Sequence, residues 1–129
     1  KKNKNKKPNI LRYKIDDYII YVGKNNIQND YITNKLAKKD WYWFHVKNSP
    51  SSHVVISTDN LDEKLIRTCA MLTAKYSLYS LSSSIEVDYT QIKNIKKIPG
   101  KKNCFIRYTK EKSIFIDIDE EYLKSLEKI

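Results

Sequence analysis

The chain has 129 residues, of which 40% are hydrophobic, and a formal net charge of +10 at pH 7. This length and apolar content support one domain with one hydrophobic core, and they exclude a chain that is disordered throughout. No apolar run is long enough to span a bilayer, and no apolar segment follows the lysine-rich start as it would in a secretory signal. Cys69 and Cys104 alone make no disulfide framework, which favours a reducing cytoplasm. We therefore expect a cytoplasmic protein with no membrane partner.

The positive charge is unevenly distributed along the chain. Residues 1–14 carry seven basic groups and no acidic group, and residues 91–112 carry eight basic groups against the single acid Glu111. The second cluster could concentrate phosphate ligands, or it could be a solvated hairpin in a lysine-rich chain. We expect residues 1–9 to be a basic disordered linker or the end of a preceding coiled coil, and residues 10–129 to be the folded domain.

The first elements in chain order predict a hairpin followed by a helix. Residues 10–14 and 18–22 favour two strands, and Gly23 ends the second of them. A helix is then predicted over residues 26–38, with Asn25 or Asn26 as its cap. Because unpaired N–H groups at the helix start would lie beside Lys24, this junction predicts an anion site.

The remaining elements complete an α+β pattern. Strands are predicted over residues 41–46, 53–57 and 85–92, and a closing hairpin over residues 104–108 and 113–116. The clearest helix begins with Asn60 as cap and Glu63 three residues later, and it is expected to end near residue 79. A short helix over residues 120–128 ends the chain. The sequence therefore predicts a single domain with a mainly antiparallel sheet, two longer helices and a short C-terminal helix.

The residues that could perform catalysis or hold a metal have the wrong spacing for either role. The soft ligands His45, His53, Cys69 and Cys104 fit no zinc pattern. Ser52 and His53 are adjacent on a predicted strand and would point to opposite faces, and no acid is placed to orient the histidine. Gly23-Lys24 lacks the second glycine of a phosphate-binding loop. We expect no enzyme activity, no metal and no cofactor.

Two groups of side chains are candidates for binding. His45 and His53 flank one turn beside Lys47, and they could hydrogen-bond phosphate or base edges, or instead bond backbone carbonyls in a half-buried sheet. Trp43 lies in an aromatic run near lysines, which is typical of stacking on single-stranded RNA but equally of a core strand. Both interpretations stay open for both groups.

An ordered series of residues resembles a known family. The series runs through Val22-Gly23-Lys24-Asn25-Asn26, Gln28-Asn29-Asp30, Trp43, His45, Lys47, Ser52-His53-Val54, Val87-Asp88-Tyr89-Thr90, Lys93, Lys96-Lys97 and Tyr108. It is similar to the NFACT-R domain, the C-terminal RNA-binding module of the RqcH/NEMF family, whose bacterial members have long been called fibronectin-binding proteins. The resemblance covers roughly residues 15–119. Three turns depart from the family pattern, at Asp16-Asp17, at Pro50-Ser51 and at Asn103-Cys104.

The resemblance implies a non-catalytic RNA-binding module of a ribosome-associated quality-control factor. Such a factor recruits tRNA to obstructed large ribosomal subunits and supports C-terminal alanine tailing of stalled chains. The implied partners are tRNA, the large subunit, and the NFACT-N domain and coiled coil of the full-length protein. The expected nucleic-acid-binding residues are Lys24, Asn25, Asn26, Gln28, Asn29, Trp43, His45, Lys47, Ser52, His53, Lys93, Lys96 and Lys97. The alternatives are a protein-interaction module, either docking on ribosomal protein or acting as a fibronectin-binding adhesin, and a DNA-binding module.

Overall fold

The computed structural model describes residues 8–101 and 105–129, and the elements below are those of the described part. The strands are β1 Leu11–Ile15, β2 Tyr18–Val22, β3 Tyr42–Val46, β4 Val54–Ile56, β5 Ile85–Gln91, β6 Ile95–Lys97, β7 Ile106–Tyr108, β8 Lys112–Ile116 and β9 Glu127–Lys128. The helices are α1 Asn26–Tyr31, α2 Glu63–Lys75 and α3 Glu120–Lys124. A π-helical turn, Ile32–Leu36, extends α1, and a 3-10 turn, Ile92–Asn94, joins β5 to β6.

Seven of these strands form one antiparallel sheet in the order β8-β5-β3-β4-β2-β1-β9. Strands β6 and β7 pair with each other in a separate antiparallel hairpin. The sheet with its covering helices is the predicted α+β domain, and the fold class is confirmed. The hairpin between β1 and β2 also follows the prediction, with Asp16 at a φ of 52° in its turn.

Both faces of the sheet are covered, so its central strands bury successive side chains. On one face Phe44, Val54 and Ile56 pack against Leu65 and Leu72 of α2. On the other face a second cluster lies under the π-helical turn and the β6–β7 hairpin, and it contains Ile10, Ile32, Trp43, Val55 and Ile92. Strand β4 is buried at every position, as expected for a strand covered on both sides.

The helix that follows β2 is capped as predicted and is slightly shorter than expected. Asn25 accepts a hydrogen bond from the Gln28 N–H through Oδ1 at 2.9 Å, which identifies Asn25 as the cap. At Ala37 the N–H donates to the Ile32 carbonyl, five residues back, and the backbone then becomes extended. Helical structure therefore ends at residue 36 instead of 38.

The predicted cap of the long helix was wrong by two residues. Asp62 accepts the Leu65 N–H through Oδ1 at 2.8 Å and starts α2, whereas Asn60 donates its own N–H to Thr58 Oγ1. The helix also ends at Lys75, four residues early. Ser77 closes it by donating both its N–H and its hydroxyl to the Ala74 carbonyl. Leu65, Cys69 and Leu72 are buried and form the apolar stripe of this helix.

The predicted closing hairpin was also wrong. Strand β7 pairs with β6, and β8 pairs with β5 at the edge of the main sheet. The two strands serve different clusters, since Tyr108 packs beside Trp43 and Ile116 packs with the α2 side. At the C-terminus the helix stops at Lys124, and β9 then pairs with β1. Residues 1–7 of the expected linker and Cys104 lie outside the described residues.

Candidate nucleic-acid interface

Asn29 ties the start of α1 to the beginning of β4. Its side-chain Oδ1 accepts the His53 N–H at 3.1 Å, and the Gly23 N–H donates to the His53 carbonyl at 3.0 Å. A Cβ atom on Gly23 would collide with Asn29 Oδ1 and lie only 3.0 Å from the Asn29 nitrogen. The glycine is therefore required for close approach of the two segments. Asn29 itself is only 7% exposed.

His53 is a buried, neutral side chain. Its Nδ1 lies 2.7 Å from Thr33 Oγ1, and its ring meets Trp43 edge-on at a centroid distance of 5.4 Å. Burial first, and the nearby His45 second, lower the pKa of His53 to about 3. The histidine therefore carries no charge with which to attract phosphate at neutral pH, and its bonding partner is a threonine hydroxyl.

His45 stands at the edge of the same aromatic cluster and is partly exposed. Its ring stacks on Trp43 with centroids 5.4 Å apart, and it lies edge-on to His53 at 5.3 Å. The Val46 carbonyl accepts from His45 Nδ1 at 2.7 Å, so Nδ1 carries the proton. Burial lowers the pKa of His45, although the Val46 carbonyl and Asp88 oppose that shift. In the neutral ring Nε2 is then a hydrogen-bond acceptor.

Trp43 and Ser52 are interior residues. Trp43 has no exposed surface and packs against Tyr108 at a centroid distance of 4.8 Å. The structure supports the interpretation of Trp43 as a core residue, because a buried ring cannot stack on a base. Ser52 is 3% exposed, and its N–H donates to the Tyr76 carbonyl. Both residues support the site from the protein interior.

A cavity of about 340 Å³ opens between α1, the turn after β3 and the β6–β7 hairpin. One part of its wall is polar and the other is apolar. The polar residues are Asn26, Asn29, His45, Ser49, Ser51 and His53, and the apolar ones are Pro50, Ile98, Phe105 and Ile106. Within residues 8–101 and 105–129, the Ser49 hydroxyl is buried without a hydrogen-bond partner.

Lys24, Asn25 and Asn26 are exposed at the rim of this cavity. A neighbouring cleft of about 260 Å³ contains all three and shares Asn26 and Asn29 with the cavity. The Lys24 ammonium lies 5.8 Å from the centre of the Tyr76 ring. Lys24 therefore lies with Asn25 and Asn26 in one cleft, and this cleft adjoins the cavity that contains the two histidines.

Gln28 connects neighbouring segments of the backbone. Its Oε1 accepts the Lys24 N–H at 2.9 Å, and its Nε2 donates to the Asn9 carbonyl at 3.0 Å. The side-chain amide thus holds the chain on both sides of α1, and its polar atoms are engaged within the protein.

Lys47 is paired with a buried carboxylate. Its Nζ lies 3.1 Å from Asp88 Oδ1, and the hydrogen bond to Asp88 is the main cause that raises the pKa of Lys47. Asp88 also accepts from Tyr108 at 2.7 Å and from Ser113 at 2.6 Å. Tyr108 belongs to β7, so this carboxylate fastens the β6–β7 hairpin to the main sheet. The charge of Lys47 is largely committed to Asp88.

The three lysines of the second basic cluster do not form one track. Lys96 and Lys97 lie on β6 and are exposed, whereas Lys93 lines a separate cleft with Lys110 and Lys112. That cleft shares no lining residue with the cavity of His45. Arg107, which the sequence interpretation left out of the site, is exposed on β7 directly opposite Lys96. Its only sequence signal was membership of the basic cluster.

Metal ligands and membrane-spanning helices are both absent from residues 8–101 and 105–129. No three or more histidine, cysteine or acidic side chains are placed there to hold a metal ion together. No helix in the same ranges is long and apolar enough to cross a membrane.

The chain matches a known protein family over most of its length. Residues 9–107 match the NFACT protein RNA binding domain, designated NFACT-R_1. The chain belongs to this family. The matched range contains the cavity, its rim and all of the β6–β7 hairpin except Tyr108, and the NFACT-R resemblance inferred from the sequence is confirmed.

Named relatives agree with this membership. The chain is 41% identical over 109 residues to the Rqc2 homolog RqcH of Bacillus subtilis, covering 84% of this chain and 19% of that protein. It is 43% identical over 110 residues to RqcH of Streptococcus suis, covering 84% and 20%. The chain thus spans about a fifth of the length of these relatives.

A solved structure has the same fold. It is the C-terminal part of the fibronectin/fibrinogen-binding protein from Streptococcus suis, with a TM-score of 0.88 and 36% identity. The alignment covers 98% of this chain and 52% of that one. The fold is therefore that of an NFACT-R domain, which in these relatives forms part of a longer protein.

Proposed function

We propose that this chain is a non-catalytic RNA-binding module of a ribosome-associated quality-control factor. The observation that carries the proposal is its membership of the NFACT RNA-binding family, together with RqcH relatives above 40% identity. By the same relationship, the parent protein is cytoplasmic and recruits tRNA to obstructed large ribosomal subunits for alanine tailing. Its NFACT-N domain and coiled coil would be the neighbours of this module.

The cavity and its rim are the surface that we assign to RNA. On one side stand Lys24 and the exposed asparagines of the α1 start. On the other side the hairpin carries the exposed Lys97, which pairs with the cavity residue Ile106 and therefore lies on the same face of the hairpin. Lys96 and Arg107 pair with each other on the opposite, exposed face. A phosphate backbone that crosses the cavity would thus meet positive charge on both sides.

The predicted site residues divide into three roles under this proposal. Lys24, Asn25, Asn26, Lys96 and Lys97 would contact phosphate, with Arg107 added to them. His45 and Asn29 would contact the RNA through the cavity. Gln28, Trp43, Lys47, Ser52 and His53 would hold the site in shape from within the protein, and Lys93 would contribute only to the long-range field.

Charge substitution with a matched control tests the proposal. Lys24→Glu and Lys97→Glu should each weaken binding of fluorescently labelled tRNA roughly tenfold or more, because each places a repulsive charge against phosphate. Lys64→Glu is the control, since Lys64 is an exposed lysine that pairs with Asp16 near the other end of β2. Equal losses in all three variants would indicate a response to net charge alone and would contradict the assigned surface.

A protein-docking function has one observation in its favour. The segment after α2 exposes three large apolar side chains, with Leu78 at 76%, Tyr79 at 47% and Leu81 at 101% exposure. Exposed apolar groups that cluster on a surface are typical of protein contacts. Under the RNA proposal Leu81→Asp leaves tRNA binding unchanged. If that substitution abolished tRNA binding while charge reversal at Lys24 had no effect, the docking function would be favoured.

A further inference from the structure

We propose that the cavity between α1 and the β6–β7 hairpin takes up a single unpaired nucleobase and reads its hydrogen-bonding edge. This inference rests on the proposed RNA-binding function and adds base contact to it. Without a base contact, the surface would bind RNA through phosphate alone. Phosphate contacts carry no sequence information, so a base pocket would change what this domain distinguishes.

The polar wall of the cavity offers a fixed acceptor beside a fixed donor. Because His45 Nδ1 donates to the Val46 carbonyl, the acceptor that this ring can offer a ligand is Nε2. Because Asn29 Oδ1 accepts the His53 N–H, the amide orientation of Asn29 is set and Nδ2 is the donor. Asn29 lines the cavity with only 7% of its surface exposed. Nucleobases present donors and acceptors side by side on their edges, which complements such a wall.

The apolar wall suits a flat aromatic ligand. Ile98 and Ile106 form its floor, and Phe105 stands half-exposed at 50% where the ring can cover a base. The volume of about 340 Å³ lies within the ~300–1,000 Å³ that is usual for small-molecule sites. Ser49 belongs to the polar wall, and its hydroxyl is buried without a hydrogen-bond partner within the described chain. Few surface clefts combine these features, because an exposed phenylalanine and an orphaned buried hydroxyl both cost free energy.

The basic rim explains why the base would come from a polymer. Lys24 and Asn26 lie on one side of the mouth, and Lys97 adjoins the cavity residue Ile98 on the other. A nucleotide whose base enters the cavity therefore has its flanking phosphates beside cations. Taking a base out of a stack costs a few kcal/mol in a duplex and least in single strands, so loops and single-stranded ends are the expected ligands.

The first test compares two RNA hexamers of equal length and charge, one with bases and one abasic at every position. Binding to the full chain is measured by fluorescence anisotropy at fixed salt. We expect the abasic hexamer to bind about tenfold more weakly or worse, since one base stacked on protein is worth ~1–3 kcal/mol. Equal binding of both hexamers would overturn the inference and leave the phosphate surface intact. If neither hexamer bound even at low salt, the proposed function itself would fail, and the inference with it.

The second test uses two exposed phenylalanines as a matched pair. Phe105→Ala should remove most of the difference between the two hexamers, whereas Phe115→Ala, at an exposed position on β8 outside the cavity, should preserve it. Both side chains are at least half exposed, so neither substitution should prevent folding. His45→Phe keeps the ring on Trp43 but removes Nε2, and it should also reduce the difference. If Phe105→Ala and Phe115→Ala behaved alike, the cavity would not be the base site.

A small-molecule titration locates the contact without a polymer. Cytidine 5′-monophosphate should shift the His45 ring resonances, and ribose 5-phosphate, which has a phosphate and no base, should not. Identical shifts with the two probes would indicate phosphate binding at this point and would contradict the base pocket.

Discussion

Gly23 and Asn29 approach so closely that a Cβ atom on the glycine would lie 3.0 Å from the asparagine nitrogen and 3.2 Å from its Cα. The asparagine in turn accepts the His53 N–H, and the His53 carbonyl accepts the Gly23 N–H. The end of β2 and the start of α1 are thereby fixed to the distant residue His53 at the wall of the cavity. This closed set of contacts sets the position of the α1 start relative to the sheet.

Gly23→Ala should destabilise the domain by about 1–3 kcal/mol, because an added methyl group in a packed interior forces the backbone apart. It should also weaken RNA binding, since the displaced Asn29 lines the cavity. Urea denaturation and tRNA anisotropy measure the two effects.

Gly100→Asn is the control for that substitution. Gly100 has a φ of 79°, and no atom lies within 4 Å of the position that a Cβ would take. Asparagine tolerates this backbone conformation better than other residues with a side chain. Its effect on stability should be below about 1 kcal/mol. A similar loss of stability in both variants would show that the close approach at Gly23 has no special role.

The buried histidine predicts that stability falls on mild acidification. The folded-state pKa of His53 is lowered from 6.5 to about 3, so between these values the unfolded chain binds a proton that the folded chain does not. The free energy of unfolding should therefore be fully retained above pH 6.5 and should decrease below it, by up to about 1.4 kcal/mol per pH unit for one such group.

His53→Leu isolates this contribution. The variant is expected to be less stable at pH 7 but to lose stability more slowly than the wild type between about pH 6.5 and 5, where most carboxylates stay ionised. Denaturant titrations at several pH values give both slopes. Parallel curves would mean that the pKa of His53 is the same in the folded and unfolded chains.

The carboxylate of Asp88 should be critical for the position of the β6–β7 hairpin. Tyr108→Phe removes one hydrogen bond to a charged acceptor and should cost about 1.5–3 kcal/mol. In a double-mutant cycle with Asp88→Asn, the two losses should be strongly non-additive. Additive losses would mean that the Tyr108–Asp88 contact contributes little. Hydrogen exchange at β6 and β7 should accelerate in both single variants.

The salt dependence of binding reports how many phosphates the surface neutralises. Lys24→Gln should lower the magnitude of the slope of log K against log salt by about 0.7 for single-stranded RNA, which corresponds to one phosphate contact. Lys47→Gln provides an informative contrast, because Lys47 is paired with Asp88 and should change the slope little. A larger effect at Lys47 than at Lys24 would contradict the assignment of roles.

Local patterns in the sequence predicted most of the elements, and where they failed the cause was tertiary. Strands β1 to β5 are apolar or alternating runs bounded by turn residues, and both signals can be identified in short windows. The partner of β7 could not be found this way, since a three-residue strand carries no information about which edge it pairs with. The cap of α2 is Asp62 instead of the predicted Asn60, because Asn60 is held in the preceding turn, where its N–H donates to Thr58 Oγ1.

The sequence indicated candidate residues for the site, but it did not indicate which of them are buried. Lys24 and the capping asparagines line one cleft, and that cleft shares Asn26 and Asn29 with the cavity that His45 lines. The burial of Trp43 and His53 depends on the hairpin and the π-helical turn on the second face of the sheet, whereas Ser52 bonds to Tyr76 at the end of α2. No local pattern in the sequence indicates that the second face of the sheet is covered. Buried and exposed candidate binding residues could therefore not be distinguished.

Binding of tRNA by the whole chain and by a chain that begins at residue 8 decides whether the folded surface holds RNA. Residues 1–7 carry five lysines and lie outside the proposed surface. We expect the shortened chain to retain salt-dependent binding, and we expect Lys24→Glu to abolish it there. Loss of all binding on removal of residues 1–7, with no effect of Lys24→Glu in the whole chain, would mean that the cavity and its rim do not bind RNA.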